Sequence, residues 1–247
     1  MNRIRKIILY GLGGLTVLAF IPLFAAFEAH VINVTAQIEN ALFVHPESLE
    51  YGTVFPQEHL NTSFFVTFSE SFSESSQTRV GTIEYAIKQK PKPLPAYVAQ
   101  IGVDSARAWC HDNYPQTPYD PAITVWQDYL SRCYPTICPA LSKHPDNNPS
   151  TGPNANNDIG LPAFHNPWTE FAIGKLVKFP NINNDPADTW TIDLAVPCFK
   201  GQCAQDWPNF VLGQNPNAGD PLQYELPPEL EHQTFGCDLW VEVTKIY

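Results

Sequence analysis

The chain has 247 residues, including 24 prolines and six cysteines, and carries a formal net charge of −11 at pH 7. Such an acidic surface repels nucleic acid and anionic lipid headgroups, and no helix-turn-helix pattern, zinc knuckle or basic stripe offsets that repulsion. The composition therefore excludes nucleic acid as a predicted partner. Membrane contact is expected only through the N-terminal segment.

The first 29 residues have the organisation of an export signal. A basic head in residues 3–6 precedes an uncharged apolar run in residues 7–27, which ends in small residues around Ala25, Ala26 and Ala29. Residues 1–29 are therefore predicted to be a signal peptide or an N-terminal transmembrane anchor. In either case residues 30–247 are predicted to be one exported domain, secreted or held at the extracellular cell surface.

Predicted export bears on the chemical state of the six cysteines. In an oxidising compartment an even number of cysteines forms disulfides more often than it holds zinc. Four residues separate Cys198 from Cys203, and four also separate Cys133 from Cys138. Local closure is predicted only for Cys198 with Cys203, while the other partners stay open. The disulfide candidates are Cys110, Cys133, Cys138, Cys198, Cys203 and Cys237.

Alternating apolar and polar residues predict a series of β-strands. Their apolar positions are Ile32, Val34, Ala36 and Ile38; Leu49 and Tyr51; Phe64, Val66 and Phe68; Ile83, Tyr85 and Ile87; Trp190, Ile192, Leu194 and Val196; and Leu239, Val241 and Val243. Gly52 is predicted to mark a bulge, and Pro56 to end its strand. The C-terminal strand is predicted to pair inside a sheet. One apolar face per strand requires a second layer, so the fold class is predicted to be all-β, an antiparallel β-sandwich of jelly-roll or Ig-like type.

A long irregular insertion is predicted at about residues 91–187, and it interrupts the strands. It holds 15 of the 24 prolines together with runs rich in asparagine and aspartate. One short helix is predicted inside it, because Asp120 can cap, Pro121 suits the first position, and Trp126 and Tyr129 fall on one face.

The N-terminal part of the chain carries a family resemblance. An export segment is followed directly by a predicted strand, then by Leu49-Glu50-Tyr51-Gly52-Thr53-Val54-Phe55-Pro56-Gln57, then by a second strand with apolar alternation. This pattern, over roughly residues 1–90, resembles the secreted TasA/camelysin family of bacterial and archaeal surface proteins. The resemblance implies a jelly-roll-like sandwich, and several members of that family assemble into extracellular fibres by donating an N-terminal strand to the next subunit.

We therefore expect a non-catalytic extracellular cell-surface or fibre-forming protein that self-associates by strand exchange. The donor strand would be the segment with Ile32, Val34, Ala36 and Ile38, which would complete a sheet of a neighbour. Camelysins have been classed as metalloproteases, but neither Glu58-His59 nor Glu231-His232 is followed by the second histidine of a His-Glu-x-x-His motif. No nucleophile motif appears either, and no cofactor is expected.

Two alternative functions stay open. If cleavage makes His30 the first residue, its amine and imidazole could chelate copper, as in secreted copper-dependent enzymes that act on polysaccharides. Aromatic side chains could instead bind cell-surface glycans, as in an adhesin-like module, although such residues more often fill small cores beneath long loops. These aromatic residues are Trp109, Trp126, Trp168, Trp207 and Tyr134.

Calcium is the second metal ion that the sequence brings into consideration. Asp146, Asp158, Asp185 and Asp188 lie in loops rich in asparagine and aspartate, which offer the oxygen ligands that calcium prefers. Their spacing is not that of an EF-hand. Acidic residues of this kind also commonly form a solvated face.

Overall fold

The structure, a computed structural model, describes residues 40–73, 80–115, 119–146, 158–178 and 185–247. The chain divides into two units, Met1–Ile38 and Glu39–Tyr247, and the described residues belong to the second. The export segment, His30 and the predicted donor strand lie outside the described residues, so these features stay predictions. No helix within the described ranges is long and apolar enough to cross a bilayer.

Seven strands of the described chain form two antiparallel sheets. The strands are β1 (Leu42–His45), β2 (His59–Phe68), β3 (Thr82–Lys90), β4 (His144–Pro145), β5 (Ala172–Val177), β6 (Ala187–Ala195) and β7 (Asp238–Ile246). The first sheet has the order β1-β2-β6-β4, and the second has the order β5-β3-β7. The prediction of a β-rich fold with antiparallel sheets is confirmed.

One hydrophobic core joins the two sheets, and alternate residues of three strands supply much of it. The side chains that β2, β3 and β6 bury, each at most 4% exposed, are Phe64, Val66 and Phe68; Ile83, Tyr85 and Ile87; and Trp190, Ile192 and Leu194. The period-two patterns of these strands are therefore confirmed.

Tyr85 extends through the core and links β3 to β6 by hydrogen bonds. Its hydroxyl accepts a hydrogen bond from Trp190 Nε1 at 2.7 Å and donates one to Asp188 Oδ2. In register it stands opposite Gly174 of β5, and a Cβ atom at position 174 would overlap the Tyr85 phenol ring. The glycine is required because the aromatic ring occupies the space of its missing side chain.

We expect Gly174→Ala to lower the free energy of unfolding by about 3 kcal/mol, because the added methyl group forces the buried ring and its hydrogen bonds to move. Urea denaturation measures this change. Gly81→Ala is the matched control, since a Cβ there meets nothing within 4 Å. Equal stability of the two variants would contradict the packing argument.

Two of the strand predictions were wrong. Leu49 and Tyr51 lie outside any strand, because Gly52 takes a left-handed φ of 71° and turns the chain. The Tyr51 hydroxyl instead donates to the Ile192 carbonyl at 2.8 Å, and β1 takes the place beside β2. The C-terminal strand β7 stands at the end of its sheet rather than inside it.

The described chain also contains five α-helices, three of them in the insertion. They are α1 (Glu70–Ser73), α2 (Pro95–Ile101), α3 (Val103–Asp112), α4 (Thr124–Leu130) and α5 (Trp207–Gln214). The prediction of a single helix there was wrong. The predicted helix is α4, and it begins at Thr124 because the Asp120 carboxylate accepts a hydrogen bond from Ala122 N at 2.8 Å and closes a turn first.

All six cysteines form disulfides. The bonds are Cys110–Cys133, Cys138–Cys237 and Cys198–Cys203. The last is the local pair that the spacing predicted. Three disulfides indicate an oxidising, extracellular environment.

Candidate functional site

Three aspartates converge where the first and second sheets approach each other through β4, β5 and β6. Oxygen atoms of Asp146, Asp158 and Asp188 all lie within 4.8 Å of one another. Asp146 N donates to the Thr189 carbonyl at 2.6 Å, and Asp158 Oδ1 accepts from Lys175 N at 2.8 Å. These backbone bonds hold the two loop aspartates against β6 and β5.

Asp188 is buried because of its position in β6. In register it stands opposite Val66, on the face that also carries Trp190 and Ile192. Asp185, the fourth aspartate predicted from the sequence, is fully buried as well. The sequence therefore named all four residues, and the structure brings three of them within reach of one ion.

The surroundings of this aspartate cluster disfavour the ionised form of its carboxyl groups. The pKa of the Asp188 carboxyl is raised to about 9, first by burial and then by the charges of Asp158, Asp185 and Asp146. The hydrogen bond from the Tyr85 hydroxyl lowers this pKa and offsets part of the rise. Burial also raises the pKa of Asp146. Carboxylates this close cannot all ionise unless a cation or shared protons compensate them.

The donor set suits a hard cation. The cluster supplies carboxylate oxygens, which Ca²⁺ and Mg²⁺ prefer, and no histidine or cysteine belongs to it. Asp146 Oδ1 is shielded from solvent and accepts no hydrogen bond from any residue that the structure describes. An oxygen in that state gains from a cation, because desolvation has removed its water ligands.

A second feature of functional interest is the edge that β7 presents. This strand is nine residues long, contains no proline, and pairs with β3 alone among the described strands. The register sets Leu239, Val241 and Val243 beside Gln89, Ile87 and Tyr85, which are buried. Yet Leu239 and Val241 are only partly buried, and Val243 is 40% exposed. The core is therefore incompletely covered along β7.

The other sheet ends are shorter or covered. Strand β4 has two residues and β1 has four. Beyond β5, isolated bridges pair Ile159 with Ile173 and Asp185 with Val177. Short strands and covering bridges protect a sheet edge, and β7 is the long edge that no described strand or bridge covers, although a register shift opposite Glu84 and Tyr85 interrupts its pairing with β3.

The aromatic residues considered for glycan binding do not form one platform. Trp126 and Trp207 are buried, Trp109 and Tyr134 are partly buried, and Trp168 is 39% exposed. Trp126 packs with Tyr129 and the Cys110–Cys133 disulfide in a small separate core. For these residues the structure favours the packing role.

Sequence reasoning missed a buried polar group formed by Lys143, His165 and Gln89. Lys143 is fully buried, its Nζ donates to the Leu141 carbonyl at 3.2 Å, and burial lowers its pKa to about 7. Burial, then the Lys143 charge, lowers the pKa of His165 to about 3, so this imidazole stays neutral. No signal in the sequence marked Lys143 as buried, since lysine is ordinarily exposed.

These features define a disulfide-bonded protein of two antiparallel sheets, with a buried aspartate cluster and one long open strand edge. Comparison with protein-family models, with curated proteins and with solved structures finds no match to this chain. The copper hypothesis depends on His30, which lies outside the described residues, and stays a prediction.

Proposed function

We propose that the chain is a non-catalytic extracellular surface protein that associates with further copies of itself by strand addition, with β7 as the acceptor edge. The donor is the segment with Ile32, Val34, Ala36 and Ile38. We further propose that its two sheets form a jelly-roll-like sandwich of the kind that the TasA/camelysin resemblance implies. The incompletely covered core along β7 is the observation that carries this proposal.

The backbone of β7 favours an added strand. The outer edge of a terminal strand presents N–H and C=O groups that another extended segment can satisfy. Nine residues offer a ladder long enough for the whole donor segment, whereas β1 and β4 do not. Main-chain hydrogen bonds would supply affinity, and side-chain alternation would set the register.

The side chains of β7 match those of the donor. Val241 and Val243 lie on the core face and keep apolar surface exposed. An added strand that placed Ile32, Val34 and Ile38 on the same face would extend the core and remove that surface from water. Each branched side chain so buried is worth roughly 1.5–3 kcal/mol.

Charge along the edge is already neutralised. Glu242 is the acidic residue in the middle of β7, and its carboxylate contacts Lys88 Nζ at 2.6 Å and Lys90 Nζ at 3.4 Å. These ion pairs lower the pKa of Glu242. The negative charge of Glu242 is therefore compensated by two lysines, so it would not repel an incoming strand.

Light scattering of the secreted chain and of a variant that lacks residues 30–40 tests the proposal. The secreted chain should form assemblies, and the truncated variant should be a monomer that binds a synthetic peptide of residues 30–40. Val243→Lys should abolish assembly, because it places a charge on the core face of the acceptor edge. Thr244→Lys, the same change at the neighbouring exposed position that has no partner in β3, is the matched control and should leave assembly intact.

Two results would overturn strand addition. One is a secreted chain that stays monomeric at all concentrations. The other is assembly that survives both the truncation and the Val243→Lys change.

We also propose that the aspartate cluster binds Ca²⁺ and so stabilises this surface protein outside the cell. The support is the short separation of the Asp146, Asp158 and Asp188 oxygens, together with the shielded Asp146 oxygen. A divalent cation would relieve the repulsion that raises the pKa of Asp188.

A further inference from the structure

A groove of about 930 Å³ separates the insertion from the C-terminal part of the chain. Its lining residues on the insertion side fall in 114–115, 119–130 and 135–140, and those on the C-terminal side fall in 222–235, all of them within the described ranges. This volume lies in the range of ligand-binding pockets in proteins. The groove is distinct from the aspartate cluster and from the edge of β7, because it shares no residue with either.

Aromatic rings form much of its surface. Tyr119 and Tyr114 each pack against Trp126, with ring centroids 5.3 Å and 6.0 Å apart, and Tyr224 packs against Phe164 at 5.2 Å. Tyr119 and Tyr224 are partly exposed, while Trp126, which packs against Tyr119, and Phe164, which packs against Tyr224, are buried. The groove therefore exposes the rings of Tyr119 and Tyr224, which pack against buried aromatic side chains.

The walls of the groove are rigid before any ligand arrives. Its lining includes seven prolines, and the bonds Cys110–Cys133 and Cys138–Cys237 tie the lining segments to the rest of the fold. The Tyr224 hydroxyl donates to the Ala218 carbonyl at 3.0 Å, which fixes that ring. A preformed site of this kind loses little conformational entropy when it binds.

The charged groups of the lining are three carboxylates and one ammonium group, those of Asp120, Glu225, Glu229 and Lys200. Asp120 and Glu229 lie near Tyr119, and after burial itself their charges raise the pKa of its hydroxyl. Anionic ligands are repelled by this excess of negative charge. Because Lys200 donates while the carboxylates accept, the lining suits a ligand whose groups can do both, as hydroxyl groups can.

We propose that this groove binds a neutral oligosaccharide. Sugar rings have apolar faces that pack on aromatic side chains and rims of hydroxyl groups that hydrogen-bond to carboxylates and amines. The groove offers both kinds of partner on rigid walls. The inference is independent of strand addition, since the groove shares no residue with the proposed acceptor edge β7.

The test is binding of cellohexaose, xylohexaose and chitohexaose to the full secreted chain, measured by isothermal titration calorimetry. At least one of them should bind, and Tyr119→Ala and Tyr224→Ala should each weaken that binding by about tenfold, the usual cost of truncating a central aromatic anchor. Phe43→Ala is the matched control, because Phe43 is 50% exposed on β1, away from the lining residues. Circular dichroism establishes that each variant is folded.

Three outcomes would overturn the glycan site. The first is no binding of any neutral hexasaccharide at millimolar concentration. The second is binding that both tyrosine variants retain in full. The third is preference for a polylysine peptide over all three sugars, which would assign the groove to a cationic partner instead.

Discussion

In the presence of EDTA, we expect the free energy of unfolding to fall as pH rises between 3.8 and about 9, the range between the ordinary and the raised pKa of Asp188. The folded protein keeps a proton on this carboxyl that the unfolded chain releases, so the folded state binds more protons and loses stability as pH increases. Each unit of difference between the two pKa values is worth about 1.4 kcal/mol, so the expected fall is several kcal/mol. Urea denaturation at a series of pH values measures it.

Asp188→Asn should remove most of that fall, because an asparagine carbonyl still accepts the Tyr85 hydrogen bond and carries no charge. Asp104→Asn, a change at an exposed aspartate of α3, is the control and should leave the pH dependence unaltered. A stability that is flat from pH 4 to pH 9, or equally steep in both variants, would contradict the account of the cluster.

Calcium provides the second arm of the same experiment. If the cluster binds Ca²⁺, adding the ion at pH 8 should raise the stability of the unaltered chain by about 2.7 kcal/mol at 100 times its dissociation constant. Asp188→Asn should lose this gain, because it removes a ligand charge. No stabilisation by Ca²⁺ at millimolar concentration would reject the calcium site and leave shared protons as the compensation.

Loss of the Cys138–Cys237 disulfide should cost about 4.7 kcal/mol, which makes it the most destabilising of the three disulfide removals. It closes a loop with a sequence separation of 99, against 23 for Cys110–Cys133 and 5 for Cys198–Cys203. A longer closed loop restricts the unfolded chain more, so its removal returns more entropy to that state.

The comparison is made between alanine replacements of both cysteines in each pair, with urea denaturation as the measurement. The Cys198–Cys203 pair is the control, with an expected loss of about 2 kcal/mol from the same relation. Equal losses for the two pairs would contradict the loop-length argument. The Cys138–Cys237 variant should also weaken assembly, because Cys237 precedes the first residue of β7.

The strands that could be predicted from the sequence are those in which buried apolar residues alternate with polar ones. Phe64, Ile83 and Trp190 each belong to a period-two pattern that the pleat of a strand enforces. Residues 49–51 show the same alternation over too short a length, and the left-handed Gly52 ends it. The helices α2 and α3 escaped prediction because few of their side chains are buried, Ala106 and Cys110 being those of α3.

The residues of the aspartate cluster could be predicted from the sequence, but their convergence could not. Composition marked four aspartates of predicted loops as oxygen donors, but Asp188 lies in strand β6, on the buried face that also carries Trp190 and Ile192. Which of the four meet was not readable, because β4 must pair with β6 before Asp146 approaches Asp188. The groove was invisible for the same reason, since its two sides are about a hundred residues apart in the chain.

By itself, the order of residues determined the β-rich class and the buried faces of three strands, and it marked the Cys198–Cys203 pair and the aspartates as candidates, since each depends on neighbours a few positions apart. Only the tertiary structure decided the partners of Cys133 and Cys138, the terminal place of β7 and the convergence of the aspartates. Those features depend on which distant segments pair, and pairing is a property of the whole packed core rather than of any stretch of chain.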